Sequence, residues 1–346
     1  MISMTINSKS EIPLELYLLI IEYIDDQGTL FSLLMSSRVG VIDIQRKLYR
    51  SVEFHYQNDD QHMIFLRSIL NSNMPPLSDS VRRYCYTANS NTSPKLLDYI
   101  KQALVTFTNL QHLRFAIPDE DTFISVLPPG NPPFNLELFQ WSCKRGAGRD
   151  IRVLRFLSTQ RTLKALILYN TGPDIARMKL RDLLDLTDFV GSPAHLPFLP
   201  HNVPIKRMHW TSKIRQEPGR FPPLTSLRVL SFSPNSPRPQ ISTIADRFGS
   251  VEILGLNCIH RNELADLFRL QIHTLVLDKI GDDPLNFRFT KEVFRNTVFL
   301  QQIFILLSAN NKYDTSCYFR WDRGVETPTA VDGDTLEVNW WRQLDL

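Results

Sequence analysis

The feature that most restricts how this chain can fold is a short apolar pattern that recurs from residue 81 onward. It reads apolar-x-x-apolar-x-apolar: Val81/Tyr84/Tyr86, Leu110/Leu113/Phe115, Leu136/Phe139/Trp141, Leu163/Leu166/Leu168, Ile205/Met208/Trp210, Leu227/Leu230/Phe232, Val251/Leu254/Leu256, Ile272/Leu275/Leu277 and Leu300/Ile303/Ile305. Successive starts lie 29, 26, 27, 42, 22, 24, 21 and 28 residues apart. The last two apolar positions of each unit lie two residues apart, the spacing of side chains on one face of a strand. Helical spacing follows between the units, at 94–107, 152–160, 241–248, 263–268 and 291–299. A strand and a helix repeated at a fixed interval cannot bury its apolar face alone, so the units must stack.

The interval and the triplet resemble degenerate leucine-rich repeats. The resemblance implies an α/β solenoid over 81–346, a horseshoe with a parallel inner sheet, outer helices and a C-terminal cap. The gap of 42 leaves room for a tenth strand near Leu183-Leu184-Asp185-Leu186, or for an insertion. The rival with the same alternation is a doubly wound α/β enzyme. The chain has only 13 Gly, and Gly146-Ala147-Gly148 opens no strand–turn–helix unit, so no phosphate-binding loop supports that reading.

The first fifty residues read differently. Ser10 is placed to cap a helix, Pro13 suits its first turn, and Leu16, Leu19, Ile20, Tyr23 and Ile24 recur at helical spacing. Asp25 to Thr29 breaks that helix, with Thr29 as a second cap. Leu30, Phe31, Leu33 and Leu34 form a second helix, Val41 to Tyr49 a third, and the chain turns extended at Ser51-Val52-Glu53-Phe54. Three short helices with this much apolar surface cannot hide it among themselves. Ile12-Pro13-Leu14-Glu15-Leu16, the Leu19–Ile24 run, Leu30 with Leu33-Leu34, Ser37-Arg38 and Leu48-Tyr49 resemble an F-box of the kind that opens many fungal F-box proteins. The family's usual aromatic after the Ser-Arg pair is absent, since Val39-Gly40 follows.

The resemblance implies an F-box over 10–54, a linking region over 55–80, and docking on the SKP-type linker of a cullin–RING ubiquitin ligase. Pro13, Leu14, Leu16, Leu19, Ile20, Ile24, Leu30, Leu33 and Leu34 would make that contact. The repeats would then capture an unknown protein substrate, and the chain would be an adaptor without enzymatic chemistry. The alternative is a repeat scaffold whose helical N-terminus is merely a cap.

Composition sets further expectations. The net charge is +3 with no block of five basic residues, which argues against nucleic acid as a partner. The Leu14–Ile24 run is interrupted by Glu15, Tyr17, Glu22 and Tyr23 and is too short to span a membrane. Cys85, Cys143, Cys258 and Cys317 are widely separated, which points to buried thiols in a reducing cytoplasmic or nuclear setting. His195 and His201 have no ligand spacing, no catalytic motif is present, and no cofactor or metal is expected. The third and fifth residues of each triplet segment should line the concave face. They run from Arg83, Cys85, His112 and Arg114 through Arg207 and His209 to Val229, Ser231, Ile253, Gly255, Thr274, Val276, Gln302 and Phe304. That series shifts from basic to apolar and suggests a substrate face with an electrostatic half and an apolar half, unless the segment Leu336–Leu344 covers the late strands. Trp340-Trp341 is either a binding aromatic pair or, as is commoner for such residues, the closure of the open end of the repeat stack.

Overall fold

The computed structural model describes residues 13–36, 40–71, 77–119, 123–145, 151–169, 183–192, 195–196, 199–200, 203–211, 224–233, 236–279, 287–308 and 317–340. Ser10, Ser37-Arg38, Gly146–Gly148, His201 and Trp341 lie outside them. The described residues form one 13-stranded sheet whose spatial order is the chain order. The strands are β1 Ser51–His55, β2 Arg83–Thr87, β3 His112–Asp119, β4 Leu138–Arg145, β5 Ala165–Tyr169, β6 Asp188–Gly191, β7 Arg207–Trp210, β8 Val229–Phe232, β9 Ile253–Cys258, β10 Thr274–Lys279, β11 Gln302–Ser308, β12 Cys317–Asp322 and β13 Thr329–Asp332. The helices are α1 Leu14–Tyr23, α2 Gln27–Ser36, α3 Val41–Arg50, α4 Asp59–Asn71, α5 Pro94–Leu104, α6 Ile151–Leu157, α7 Ile241–Arg247, α8 Leu264–Leu267 and α9 Phe287–Asn296.

Strands β1 to β11 pair in parallel, each with the next. A sheet in strict chain order, with a crossover after each strand, is a mixed α/β solenoid. The registers align the triplets: Leu113, Phe139, Leu166, Phe189, Met208, Leu230, Leu254, Leu275 and Ile303 form one row. Beside it runs a largely aromatic row, Phe54, Tyr86, Phe115, Trp141 and Leu168, resumed by Trp210 and Phe232. Both rows pack with the helices in one continuous core. Within it Phe115 and Trp141 meet edge to face with centroids 5.7 Å apart, and Trp210 lies 5.5 Å from Phe232. Such ring pairs add about 0.5–1.5 kcal/mol beyond the area they bury.

Two boundaries differ from the sequence expectation. The stack begins at β1, not at residue 81, because Ser51–His55 pairs with Arg83–Thr87. The stretch 55–80, expected to be a linker, holds α4, which turns His62, Leu66 and Ile69 inward. It is the first repeat's helix. The gap of 42 contains a strand at 188–191, just after the expected site. There Leu186 and Phe189 fill the first two places of the pattern, but Gly191 holds the third. A β-carbon on Gly191 would come 2.8 Å from the tip of the Phe189 ring and 3.2 Å from His195 Nδ1. The ring takes the space a third apolar side chain would have used.

The parallel order ends at β11. Strand β12 runs antiparallel to it, and β13 antiparallel to β12, joined through a turn with Gly324 at φ 80°. Nothing in the repeat pattern announces this hairpin. Among the described residues no helix is long and apolar enough to cross a membrane.

At the other end, α1, α2 and α3 enclose a small cluster of Ile21, Leu30 and Ile44. Asp26, not Thr29, caps α2: its carboxylate accepts from the Thr29 amide and hydroxyl, both at 2.6 Å, and these bonds hold its pKa below the ordinary value. Lys47 donates to the carbonyls of Ile21 (2.9 Å) and Glu22 at the C-terminal end of α1, where a cation suits the helix dipole. Gly40 starts α3 at φ 70°, and a β-carbon there would lie 2.7 Å from the Tyr17 ring. Position 40 therefore needs glycine for both its backbone and its space. Helix α3 passes directly into β1.

Candidate protein-docking surfaces

Two surfaces were expected to bind proteins: the N-terminal helices and the inner face of the sheet. On the helices, apolar side chains are left in solvent. Leu14, Leu16, Leu19 and Ile20 are each about half exposed, and Pro13 is exposed as well. Leu16, Leu19, Ile20 and Tyr23 fall at i, i+3, i+4 and i+7, on one face of α1. Ile24, Leu33 and Leu34 are half-buried against the small cluster. Leu30 is 2% exposed, and this is a correction: it is the internal keystone of the three helices, not a contact residue. Tyr23, Phe31, Met35 and Ile42 are exposed apolar residues that sequence reasoning did not select. Their signal was available for Phe31 and Met35, whose i, i+4 spacing puts them on the side of α2 away from Leu30.

The solenoid does not cover these side chains. It meets the helices mainly through α3, which packs on the short turn Leu77–Ser80. Beside that contact a cleft of about 770 Å³ is lined by Leu18, Ile21, Ile42, Lys47, Arg50 and Arg82 among others.

The inner face divides as its residue types suggested, but its accessibility does not follow. In the early strands Arg83 and His112 are half-buried, while Arg114 and Cys85 are buried. Burial, reinforced by the guanidiniums of Arg83 and Arg114, pushes the His112 pKa below its ordinary value, so the ring is neutral at pH 7. Burial raises the Cys85 thiol. The positive charge of this half therefore comes from the two arginines. A cleft of about 390 Å³ connects it to the helices and gathers Lys47, Arg50, Arg82 and Arg83 with Glu22 and Asp25.

In the middle strands Arg207 is not a free cation. Its Nε and Nη2 donate to the two carboxylate oxygens of Asp188 at 2.6 and 2.8 Å. Its guanidinium also lies over the Trp340 ring, 4.8 Å from the centroid. His209 is buried and pairs with the Ser231 hydroxyl at 2.8 Å. Val229, Val276 and Phe304 are buried and Ile253 is half-buried, in a second apolar cluster with Ile167, Val190, Tyr318, Leu336 and Trp340. The late half of the expected substrate face is covered, and residues 336–340 help to cover it. The alternative weighed for that segment describes the molecule, and the exposed apolar strip does not.

The expectation of four buried thiols also needs correcting: Cys258 is half-buried and Cys317 is exposed, and no disulfide links the four. Among the described residues no group of three or more His, Cys, Asp or Glu is placed to hold a metal ion.

No protein-family model and no curated protein matches the chain. Among solved structures it is similar to an internalin from Listeria monocytogenes, at 14% identity and a TM-score of 0.32, over 72% of this chain and 81% of that one. Likeness at that level carries no functional argument, and the solenoid assignment stands on the strand order and registers above.

Proposed function

We propose that the chain is a protein-recruiting adaptor. Its N-terminal helices dock the SKP-type linker of a cullin–RING ubiquitin ligase, and its solenoid holds a protein brought to that ligase. The observation that carries this reading is the exposed row Leu16, Leu19, Ile20 and Tyr23 on α1, with Phe31 and Met35 on α2. A helix that only capped the first repeat would turn such a row onto the repeat. The resemblance of residues 10–54 to an F-box supplies the identity of the partner. The adaptor acts by proximity and makes or breaks no bond itself.

A second reading, a repeat scaffold with no ligase role, draws on the uninterrupted passage of α3 into β1, which suits an integral cap. A pull-down of the full chain with an SKP-type linker separates the two. Leu19→Ala combined with Ile20→Ala should weaken capture by at least about tenfold, because central apolar anchors cost roughly 2 kcal/mol each when truncated. The thermal melt should stay within about a degree or two of the parent, since exposed positions contribute little to stability. Unchanged capture, or no capture by the parent chain, would leave the scaffold reading.

A further inference from the structure

The segment following β13 occupies the inner face without belonging to the sheet. It forms two short turns, Gly333–Thr335 and Glu337–Asn339, and the second lies against β8 and β9. Its own hydrogen bonds are local: Leu336 N–H to Gly333 C=O (3.2 Å), Asn339 N–H to Leu336 C=O (2.9 Å), and Asn339 Nδ2 to Gly333 C=O (2.8 Å). What fastens it to the sheet is side-chain contact. Leu336 and Trp340 enter the apolar cluster of Val190, Val229, Val276 and Phe304, and the Trp340 ring stacks under the Arg207 guanidinium. Arg207 and Arg228 themselves are already engaged, Arg207 by Asp188 and Arg228 by Glu252, whose hydrogen bonds raise the pKa of each guanidinium.

We propose that the inner face of the late repeats is a groove for an apolar–aromatic peptide segment, an aliphatic side chain followed four residues later by a large aromatic ring, and that residues 333–340 occupy it in cis as a displaceable plug. Three observations carry this. The floor is apolar at positions that face away from the helices, where a solenoid sheet needs no apolar residue for its own core, and Leu336 and Trp340 cover it together with Tyr318. The rim offers Arg207, whose guanidinium is held by Asp188 and still lies over the Trp340 ring, and so matches a large aromatic side chain. The occupant fits incompletely: the Trp340 indole N–H is buried with no hydrogen-bond partner among the described residues. A competing segment that brings its own acceptor to that nitrogen would satisfy it.

The proposal deepens the reading of the repeats as the capturing half of the adaptor and is independent of what the helices dock. Its test therefore contains no ligase component, and failure of the SKP-linker pull-down would leave it standing. The probe is a fluorescent peptide of residues 333–346, titrated into the full chain and followed by anisotropy. The variant Leu336→Ala with Trp340→Ala empties the groove and should bind the peptide at least about tenfold more tightly than the parent chain, as removal of a competing occupant requires. A peptide carrying Leu336→Ala and Trp340→Ala should not bind. A folded variant that binds no better than the parent overturns the proposal, and so does a variant that no longer folds, because the segment is then part of the core. A second measurement uses the parent chain alone. The bonded amides of Leu336 and Asn339 should exchange with solvent at least about a hundredfold faster than those of β8 and β9, as local opening of a plug demands. Exchange at the same rate as those strands would refute it.

Discussion

Acidification should loosen the N-terminal repeats through one side chain, His62. The ring stacks on Phe54 with centroids 4.3 Å apart, and its Nε2 pairs with the Tyr84 hydroxyl at 2.6 Å. The side chain is fully buried, and Nδ1 has no hydrogen-bond partner among the described residues. An imidazolium there would hold an unpaired N–H away from water, so burial lowers the pKa from 6.5 to about 3. The folded pKa is depressed for a group whose charged form is the protonated one. The unfolded chain therefore binds the extra proton first, and stability falls as pH drops through 6.5. The loss relative to alkaline pH is about 0.8 kcal/mol at pH 6 and about 2 kcal/mol at pH 5. Down to pH 5 this result is the same for any folded value well below 5. Because solenoid repeats open nearly independently, the assay is amide exchange of α4, β1 and β2 at pH 7, 6 and 5, corrected for intrinsic exchange. His62→Phe keeps a flat ring against Phe54 and removes the titration, so its protection should be lower overall, with Tyr84 unpaired, but much flatter with pH. Equal pH slopes in the parent and the variant would refute the reasoning.

Other perturbations test other joints. Leu30→Ala should destabilise the three N-terminal helices by about 2–4 kcal/mol, read as their loss from the circular-dichroism spectrum ahead of the solenoid, because the side chain is the buried centre of their cluster. Gly191→Ala should cost about 1–3 kcal/mol in chemical denaturation, since its methyl group would press on the Phe189 ring inside a filled core. Arg238→Ala should cost about 3 kcal/mol: the guanidinium donates to both oxygens of Glu263 at 2.7 and 2.5 Å and to the Cys258 carbonyl at 3.0 Å, and its loss strands a mostly buried carboxylate. An unchanged unfolding midpoint for any of these would contradict the packing described for that site.

Much of the solenoid could be read from the chain because each strand leaves a strong local imprint. Every one of the nine triplets coincides with a strand that begins at its third residue, from Arg83 to Gln302. The misses have separate causes. Tyr49, Val52 and Phe54 complete a triplet of the same form, but Tyr49 belongs to the helix before it, so the pattern straddles two elements. Gly191 breaks the pattern of β6 because a neighbouring ring substitutes for its side chain. The closing hairpin departs from the repeat and is set by pairing with β11, a contact that no local period encodes. The candidate surfaces were less legible. Leu30 and Leu19 are the same residue type in neighbouring apolar stretches, and only the crossing of α1, α2 and α3 decides which one faces water. Arg207 has the residue type of a ligand-binding cation, yet Asp188 and Trp340, 19 residues before it and 133 after it, already hold it. Long-range coverage of that kind is set by tertiary structure and leaves no periodic trace.

Helix α3 ends at Arg50 and β1 begins at Ser51, so the joint between helices and sheet has no slack. A protein docked on α1 and α2 would thereby be held at one angle to every strand that follows. One residue inserted into α3 would swing the gripping face by about 100° around the helix axis. Such an insertion could leave both halves folded and both surfaces intact, yet aim a captured protein in a different direction. The length of this stretch of chain is therefore a geometric setting in its own right, as consequential as the identity of any side chain on it.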